Sequence, residues 1–182
     1  MNDGTRPMWE PGIVPPGDDV FPDRDMSHRD KVAWMIEQHG WAFEPVPAHP
    51  ELDPPIPGYA YTVGLESAFT FPEVVIFGLT PVAARGLAGL MVDLLRGGTE
   101  IPVGPVFQGL LDNDLRSALL PVDLEDYGEL FAVASDWYIG AEYRVAQLAW
   151  PDRNGWLPWE SGYDHRLLLA QPVIGALDDI DA

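Results

Sequence analysis

The residues best suited to chemistry in this chain lie in one C-terminal segment. Asp152, Asp164 and His165 place two carboxylates and an imidazole within fourteen residues. A carboxylate near a histidine can serve acid–base catalysis when burial moves the pKa of one group towards neutrality. Together with the hydroxyl of Tyr61, from a strand earlier in the chain, these are the candidate catalytic residues.

The same segment is rich in tryptophan. Trp150, Trp156 and Trp159 lie within ten residues, interleaved with prolines, glycines and carboxylates. Pro and Gly prevent a regular element there, and an indole is too large to be left exposed without a reason. We therefore expect an ordered, irregular loop, the kind of segment on which binding sites often lie.

Two interpretations of this loop remain open, and the structural one is favoured. In it, Asp152 and Asn154-Gly155 form a turn and the indoles cover the open end of the sheet. Arg153 then stacks on an indole or pairs with Asp152. In the functional interpretation, the tryptophans wall an apolar pocket with a few polar groups, including Glu160. The candidate ligand-binding residues are Trp150, Trp156, Trp159, Tyr61, Thr62 and Arg153.

Tyr61 and Thr62 belong to a predicted strand in which large residues alternate with small ones from Tyr59 onwards. Neighbouring strand residues point to opposite faces, so at most one of the two hydroxyls faces a given pocket. Gly64, late in the strand, indicates a bulge or the close approach of another backbone or a ligand.

Other kinds of chemistry find little support in the residues. The chain has no cysteine, which excludes disulfides and thiolate chemistry. There is no phosphate-binding glycine loop, no nucleophile elbow and no zinc-binding helix motif. No cofactor is indicated, and we expect no metal site, because the histidines share no ligand spacing. The four histidines are His28, His39, His49 and His165.

The net charge of the chain limits the classes of partner that it can bind. Twenty-nine acidic residues against ten basic ones give a net charge of −19, a field that repels nucleic acids and anionic lipids. We expect a protein or small-molecule partner, no nucleic acid and no membrane; the charge does not predict an oligomeric state. With no apolar run of membrane-spanning length and no signal-peptide pattern, we expect a cytoplasmic protein.

The predicted order of elements is α-β-β-β-α-β-β-α-β. This order favours an α+β fold: a single domain with a mixed, largely antiparallel sheet and helices packed on one side. Residues 1–25 are predicted to form an extended, Pro-rich arm, 26–176 the domain and 177–182 an acidic tail.

Capping signals and hydrophobic spacing locate the elements. The spacing predicts helices over 30–38, capped by Ser27, from Thr80-Pro81 to Gly97-Gly98, and over 124–138. Strands are predicted from Trp41 and over 59–65, 74–77, 103–111, 115–122 and 143–150, with a loop over 66–72.

Several motifs occur in an order that resembles a known family. They are GW at 40–41, YTVGL at 61–65, FPEVVIFGL at 71–79, QLAWPD at 147–152, GWLPW at 155–159 and QP at 171–172. Over residues 28–175 they resemble a bacterial family catalogued as domain of unknown function 4262. The family pattern has histidine before the Pro72-Glu73 pair, where this chain has Phe71, so no role is carried to that position. The resemblance implies a shared fold and no activity.

We therefore expect an uncharacterised α+β domain that binds a protein or small ligand through its Trp-Pro-rich C-terminal loop. The alternative is a small hydrolase or transferase that uses Asp152, Asp164, His165 and Tyr61. The binding hypothesis depends on the density of aromatic residues in the loop. The enzyme hypothesis depends on the acids and the histidine lying close together in the fold.

Overall fold

A six-stranded sheet forms the centre of the computed structural model, which describes residues 25–181. The strands lie in the order β1-β2-β3-β6-β5-β4, and of the five pairings only that between β3 and β6 is parallel. The strands are β1 (Ala42–Val46), β2 (Tyr59–Val63), β3 (Glu73–Phe77), β4 (Val106–Phe107), β5 (Ser117–Val122) and β6 (Val145–Ala149). The α+β class and the mixed, largely antiparallel sheet are confirmed. The predicted N-terminal arm, apart from Asp25, lies outside the described residues.

The predicted helix starts are confirmed by their caps. The Ser27 hydroxyl accepts a hydrogen bond from the backbone N–H of Asp30, and the Thr80 hydroxyl accepts one from Ala83. Pro81 follows Thr80 at the first helical position, where its missing N–H has no cost. The helices are α1 (His28–His39), α2 (Leu65–Phe69), α3 (Pro81–Arg96), α4 (Leu124–Tyr127) and α5 (Ala132–Trp137).

Helices cover both faces of the sheet, so the expectation that they pack on one side is wrong. Val74 and Ile76 of β3 face a cluster closed by α3, whereas Val75 and Phe77 face a second cluster closed by α1 and α5. Every residue of β2, β3 and β6 is buried. A central strand that is apolar on both faces needs a layer of structure over each of them.

Three predicted segments differ in detail. The strand predicted over 103–111 is reduced to the two residues of β4. The predicted loop over 66–72 contains the short helix α2, and the single helix predicted over 124–138 is divided. A 3-10 turn, Gly128–Phe131, separates α4 from α5, because glycine weakens a helix interior. The bend buries Phe131 completely, with its ring edge-on to Tyr61 at 5.3 Å between centroids.

The C-terminal residues return to the sheet. The backbone N–H of Val106 in β4 donates to the carbonyl of Ile180 at 3.4 Å, and Ile180 packs against buried residues of β5 and β6. The predicted acidic tail therefore contacts the domain through Ile180. Within residues 25–181, no helix has both the length and the apolar character needed to cross a bilayer.

Candidate functional site

The C-terminal loop, residues 150–171, is organised around the side chain of Asp152. Its Oδ1 accepts hydrogen bonds from the backbone N–H groups of Asn154 at 2.8 Å and Trp156 at 3.0 Å. Its Oδ2 accepts one from Asp164 at 2.9 Å. Gly155 supplies the positive φ of +86° that the turn requires. The predicted turn is confirmed, and Asp152 also joins the start of the loop to Asp164.

The hydrogen bonds to Asp152 determine the direction in which its pKa shifts. Burial raises the pKa of the carboxyl, but the three backbone N–H donors together outweigh burial and hold the pKa below its ordinary value. Among residues 25–181 no ion pair joins Arg153 to Asp152, which was one of the two contacts expected for Arg153. Arg153 is exposed.

Two glutamines attach the ends of the loop to the sheet. The fully buried Gln171 accepts a hydrogen bond from the backbone N–H of Trp150 and donates to its carbonyl, both at 2.9 Å. Gln147 of β6 donates to the carbonyl of Pro172 at 2.6 Å and accepts from Ile174 at 2.8 Å. The indole N–H of Trp150 donates to the carbonyl of Phe77 at the end of β3. The loop is thus anchored at both ends.

A bidentate ion pair holds the middle of the loop. Both terminal nitrogens of Arg116 donate to the carboxylate of Glu160 at 2.7 Å. The same carboxylate accepts from the backbone N–H of Leu157, and Arg116 also donates to the carbonyl of Gly155. A bidentate ion pair restrains the orientation of its two side chains more than a single hydrogen bond does.

The outer side of the loop carries exposed apolar and cationic side chains. The indole of Trp156 is 43% exposed and packs against Gly162, where a Cβ would clash with the ring. Leu169 is 82% exposed, and Arg153 and His165 are exposed as well. The other two tryptophans, Trp150 and Trp159, are half-buried.

The structure brings together only part of the predicted catalytic set. Asp164 lies against Asp152 through its backbone, but its carboxylate is paired with Arg166 at 2.6 Å. This guanidinium lowers the pKa of Asp164 to about 2. Tyr61 lies in the interior of the domain, where its hydroxyl accepts from the N–H of Val133 and burial raises its pKa. Near neutral pH Asp152 and Asp164 are therefore both ionised, and Tyr61 takes no part in their hydrogen bonds.

Thr62 belongs to a second network, which sequence analysis missed. Its hydroxyl donates to Oε2 of Glu73 at 2.6 Å and accepts from the backbone N–H of Val74 at 2.9 Å. The predicted alternation of the strand is seen in its neighbours: Ala60 faces one core cluster, whereas Tyr59 and Tyr61 face the other.

Glu73 is the most deeply buried acid of the described residues, with 0% of its surface exposed. Besides Thr62, its carboxylate accepts from the hydroxyl of Tyr138 at 2.6 Å and from the backbone N–H groups of Gly64 and Glu66. Desolvation raises the pKa of Glu73, and these hydrogen bonds offset part of the increase. The sequence did contain a signal for this network: Glu73 is the only charged residue at the start of a continuous apolar strand, and a buried charge needs hydrogen-bond partners.

Potential metal ligands do not converge in this structure. Across residues 25–181 there is no group of three or more His, Asp or Glu residues arranged to hold a metal ion. Glu73 and Asp152 both have their oxygens occupied by protein donors.

The family model for Domain of unknown function (DUF4262) matches residues 35–164, more than half of the chain. The chain belongs to this family, and the resemblance drawn from the motifs is confirmed. No curated protein and no solved structure matches the chain. The motifs that carried the resemblance supply Thr62, Gly64, Glu73, Asp152 and Gln171, which are members of the two hydrogen-bond networks.

Proposed function

We propose that this protein is a binding domain that holds a protein partner against its C-terminal loop. The observation that carries the proposal is Trp156, an indole 43% exposed on a loop whose backbone is held by hydrogen bonds to the buried side chains of Asp152 and Gln171. Exposed tryptophan and arginine are typical anchors of protein interfaces. A backbone that is already ordered reduces the entropy lost on binding.

The charges of the loop indicate the chemistry of the partner. The three acids of the loop are engaged internally: Asp152 by backbone N–H groups, Glu160 by Arg116 and Asp164 by Arg166. The exposed side chains include Trp156, Leu169, Arg153 and His165. They match a partner with an apolar pocket for the indole and acidic groups around it.

The alternative, a small hydrolase or transferase, has less support. It needs a general acid, and the pKa values of Asp152 and Asp164 are both lowered. It also needs Tyr61 near them, whereas the Tyr61 hydroxyl bonds to Val133 under α5.

Site-specific photocrosslinking tests the proposal. A photoreactive amino acid at position 156 is expected to capture a protein in cells that the same residue at position 90 does not. Leu90 is the matched control, since it is 54% exposed on α3, away from the loop. With the captured protein purified, Trp156→Ala is expected to weaken binding by roughly thirtyfold, the effect of a central aromatic anchor.

Leu90→Ala is expected to bind like the wild type. Equal capture at both positions, or equal affinity of the two alanine variants, would contradict the proposal.

A further inference from the structure

We infer a second site, which takes a small organic anion, in a cleft between α1, β1 and α3. This anion cleft has a volume of about 250 Å³. Its walls include Gln38, His39, Trp41, Phe43, Arg85 and Arg96. Two arginines and a histidine line it, and among the described residues no Asp or Glu does.

The absence of acids from the lining is unusual in a chain of net charge −19. Elsewhere, three of its arginines form bidentate pairs with carboxylates: Arg116, Arg144 and Arg166. Arg85 is exposed and forms no salt bridge within residues 25–181. Its positive charge is therefore left for a ligand.

Helix α3 carries both arginines on one side. Arg85 and Arg96 are eleven residues apart, which is close to three full turns of an α-helix. Arg96 is oriented by a hydrogen bond from Nη2 to the carbonyl of His39 at the end of α1. Its nearest carboxylate, on Asp93, lies 3.8 Å away, beyond hydrogen-bond distance. Arg96 therefore keeps donors for a second acceptor.

The lining of the cleft also includes two aromatic residues. The rings of Trp41 and Phe43 pack edge to face, with centroids 6.4 Å apart. A ligand in this cleft thus has both cationic donors and aromatic side chains among its neighbours. This arrangement matches a carboxylate or phosphate group attached to a small flat apolar body. The volume limits the ligand to a small molecule.

Titration of the full chain with four probes tests the assignment. Phenyl phosphate and benzoate each have an anionic group and an aromatic ring. Inorganic phosphate has only the anionic group, and benzyl alcohol has only the ring. We expect saturable binding of at least one aromatic anion, weaker binding of inorganic phosphate and none of benzyl alcohol. Backbone amide shifts in nuclear magnetic resonance spectra of the wild type are expected to concentrate around Trp41 and Arg85.

Arg85→Gln is the informative variant, because Arg85 supports no other contact among the described residues. Loss of one charge-assisted contact is expected to weaken binding of the aromatic anion roughly tenfold. Arg29→Gln is the matched control, an exposed arginine on α1 outside this cleft, and is expected to bind like the wild type. Arg96 is not the first choice, since it also holds the end of α1.

Three results would overturn the inference. They are the absence of saturable binding by either aromatic anion, amide shifts that lie outside the cleft, and equal affinity of Arg85→Gln and Arg29→Gln. The C-terminal loop takes no part in this cleft, so none of these outcomes bears on the proposed protein-binding function.

Discussion

Glu73 and Asp152 are both buried carboxylates that accept several hydrogen bonds, and they differ in where the donors come from. The partners of Asp152 lie two, four and twelve residues further along the same loop. The partners of Glu73 come from β2, from the start of α2 and from Tyr138, 65 residues away in the chain. One network closes a loop, and the other joins three parts of the domain.

The same difference appears in their electrostatics. The pKa of Asp152 is lowered, since its backbone donors outweigh desolvation, whereas the pKa of Glu73 is raised, since desolvation at 0% exposure outweighs its donors. Hydrogen bonds to a carboxylate therefore do not by themselves set its pKa; the balance between the donors and desolvation decides the direction at each site. We expect Glu73 to matter for the stability of the whole domain and Asp152 for the order of the loop.

The largest expected effect is that of Glu73→Ala. Removing the carboxylate leaves four donors without this acceptor, three of them buried, which we expect to lower the free energy of unfolding by about 3–5 kcal/mol. Urea denaturation measures this loss. Glu100→Ala removes an exposed glutamate and is expected to change stability by less than about 0.5 kcal/mol. If Glu73→Ala lowered the free energy of unfolding as little as the control does, Glu73 would not stabilise the whole domain as we expect.

Thr62→Val tests the Glu73 network by a smaller change, which removes one of its hydrogen-bonding groups. Valine keeps the shape of threonine, but it removes a donor to Glu73 and an acceptor for the N–H of Val74. We expect a loss of about 1–3 kcal/mol in urea denaturation. Thr99→Val, at an exposed position, is the control.

In the background of Glu73→Ala, the cost of Thr62→Val is expected to shrink, because the two residues share one network. Full additivity would show that they act separately.

The pH dependence of stability is expected to have opposite signs at the two residues. With its pKa raised above the ordinary value of 4.5, Glu73 makes a contribution that is complete below that value and is lost as pH rises through the folded pKa. With its pKa lowered below 3.8, Asp152 makes a contribution that is complete above that value and is lost as pH falls through the folded pKa.

Unfolding measured from roughly pH 3 to pH 8 separates the two contributions. Relative to Glu73→Gln, which does not titrate, the wild type is expected to lose stability as the pH rises. Parallel curves for wild type and Glu73→Gln would show that Glu73 has an ordinary pKa.

The smallest global effect is expected for Asp152→Asn. One oxygen is retained, so part of the network persists, and the loss is local to the loop. We expect faster hydrogen exchange at the amides of Asn154, Trp156 and Asp164, with a smaller fall in melting temperature than Glu73→Ala produces. Asp178→Asn, at an exposed position, is expected to leave exchange unchanged. A fall in melting temperature equal to that of Glu73→Ala would show that the loop unfolds only with the whole domain.

Features that depend on neighbours in the chain could be predicted from sequence. The caps at Ser27 and Thr80 join residues three apart, and the turn at Asp152 joins residues two apart. Each needs only a polar side chain next to a known backbone pattern. The Glu73 network needs Tyr138, which approaches only after α5 packs on the sheet. The anion cleft needs α3 beside the end of α1, so its arginines were not recognised from sequence.

The sequence by itself determined the α+β class, the order of most elements, the family and the turn at Asp152. It did so because periodicity, caps and turns are local consequences of residue type. The tertiary structure alone decided that helices cover both faces of the sheet and that Tyr61 and Thr62 are buried. It also decided that the exposed face of the loop carries Trp156, because exposure depends on segments distant in the chain. Burial, and with it the pKa of a carboxylate, is a property of the assembled core.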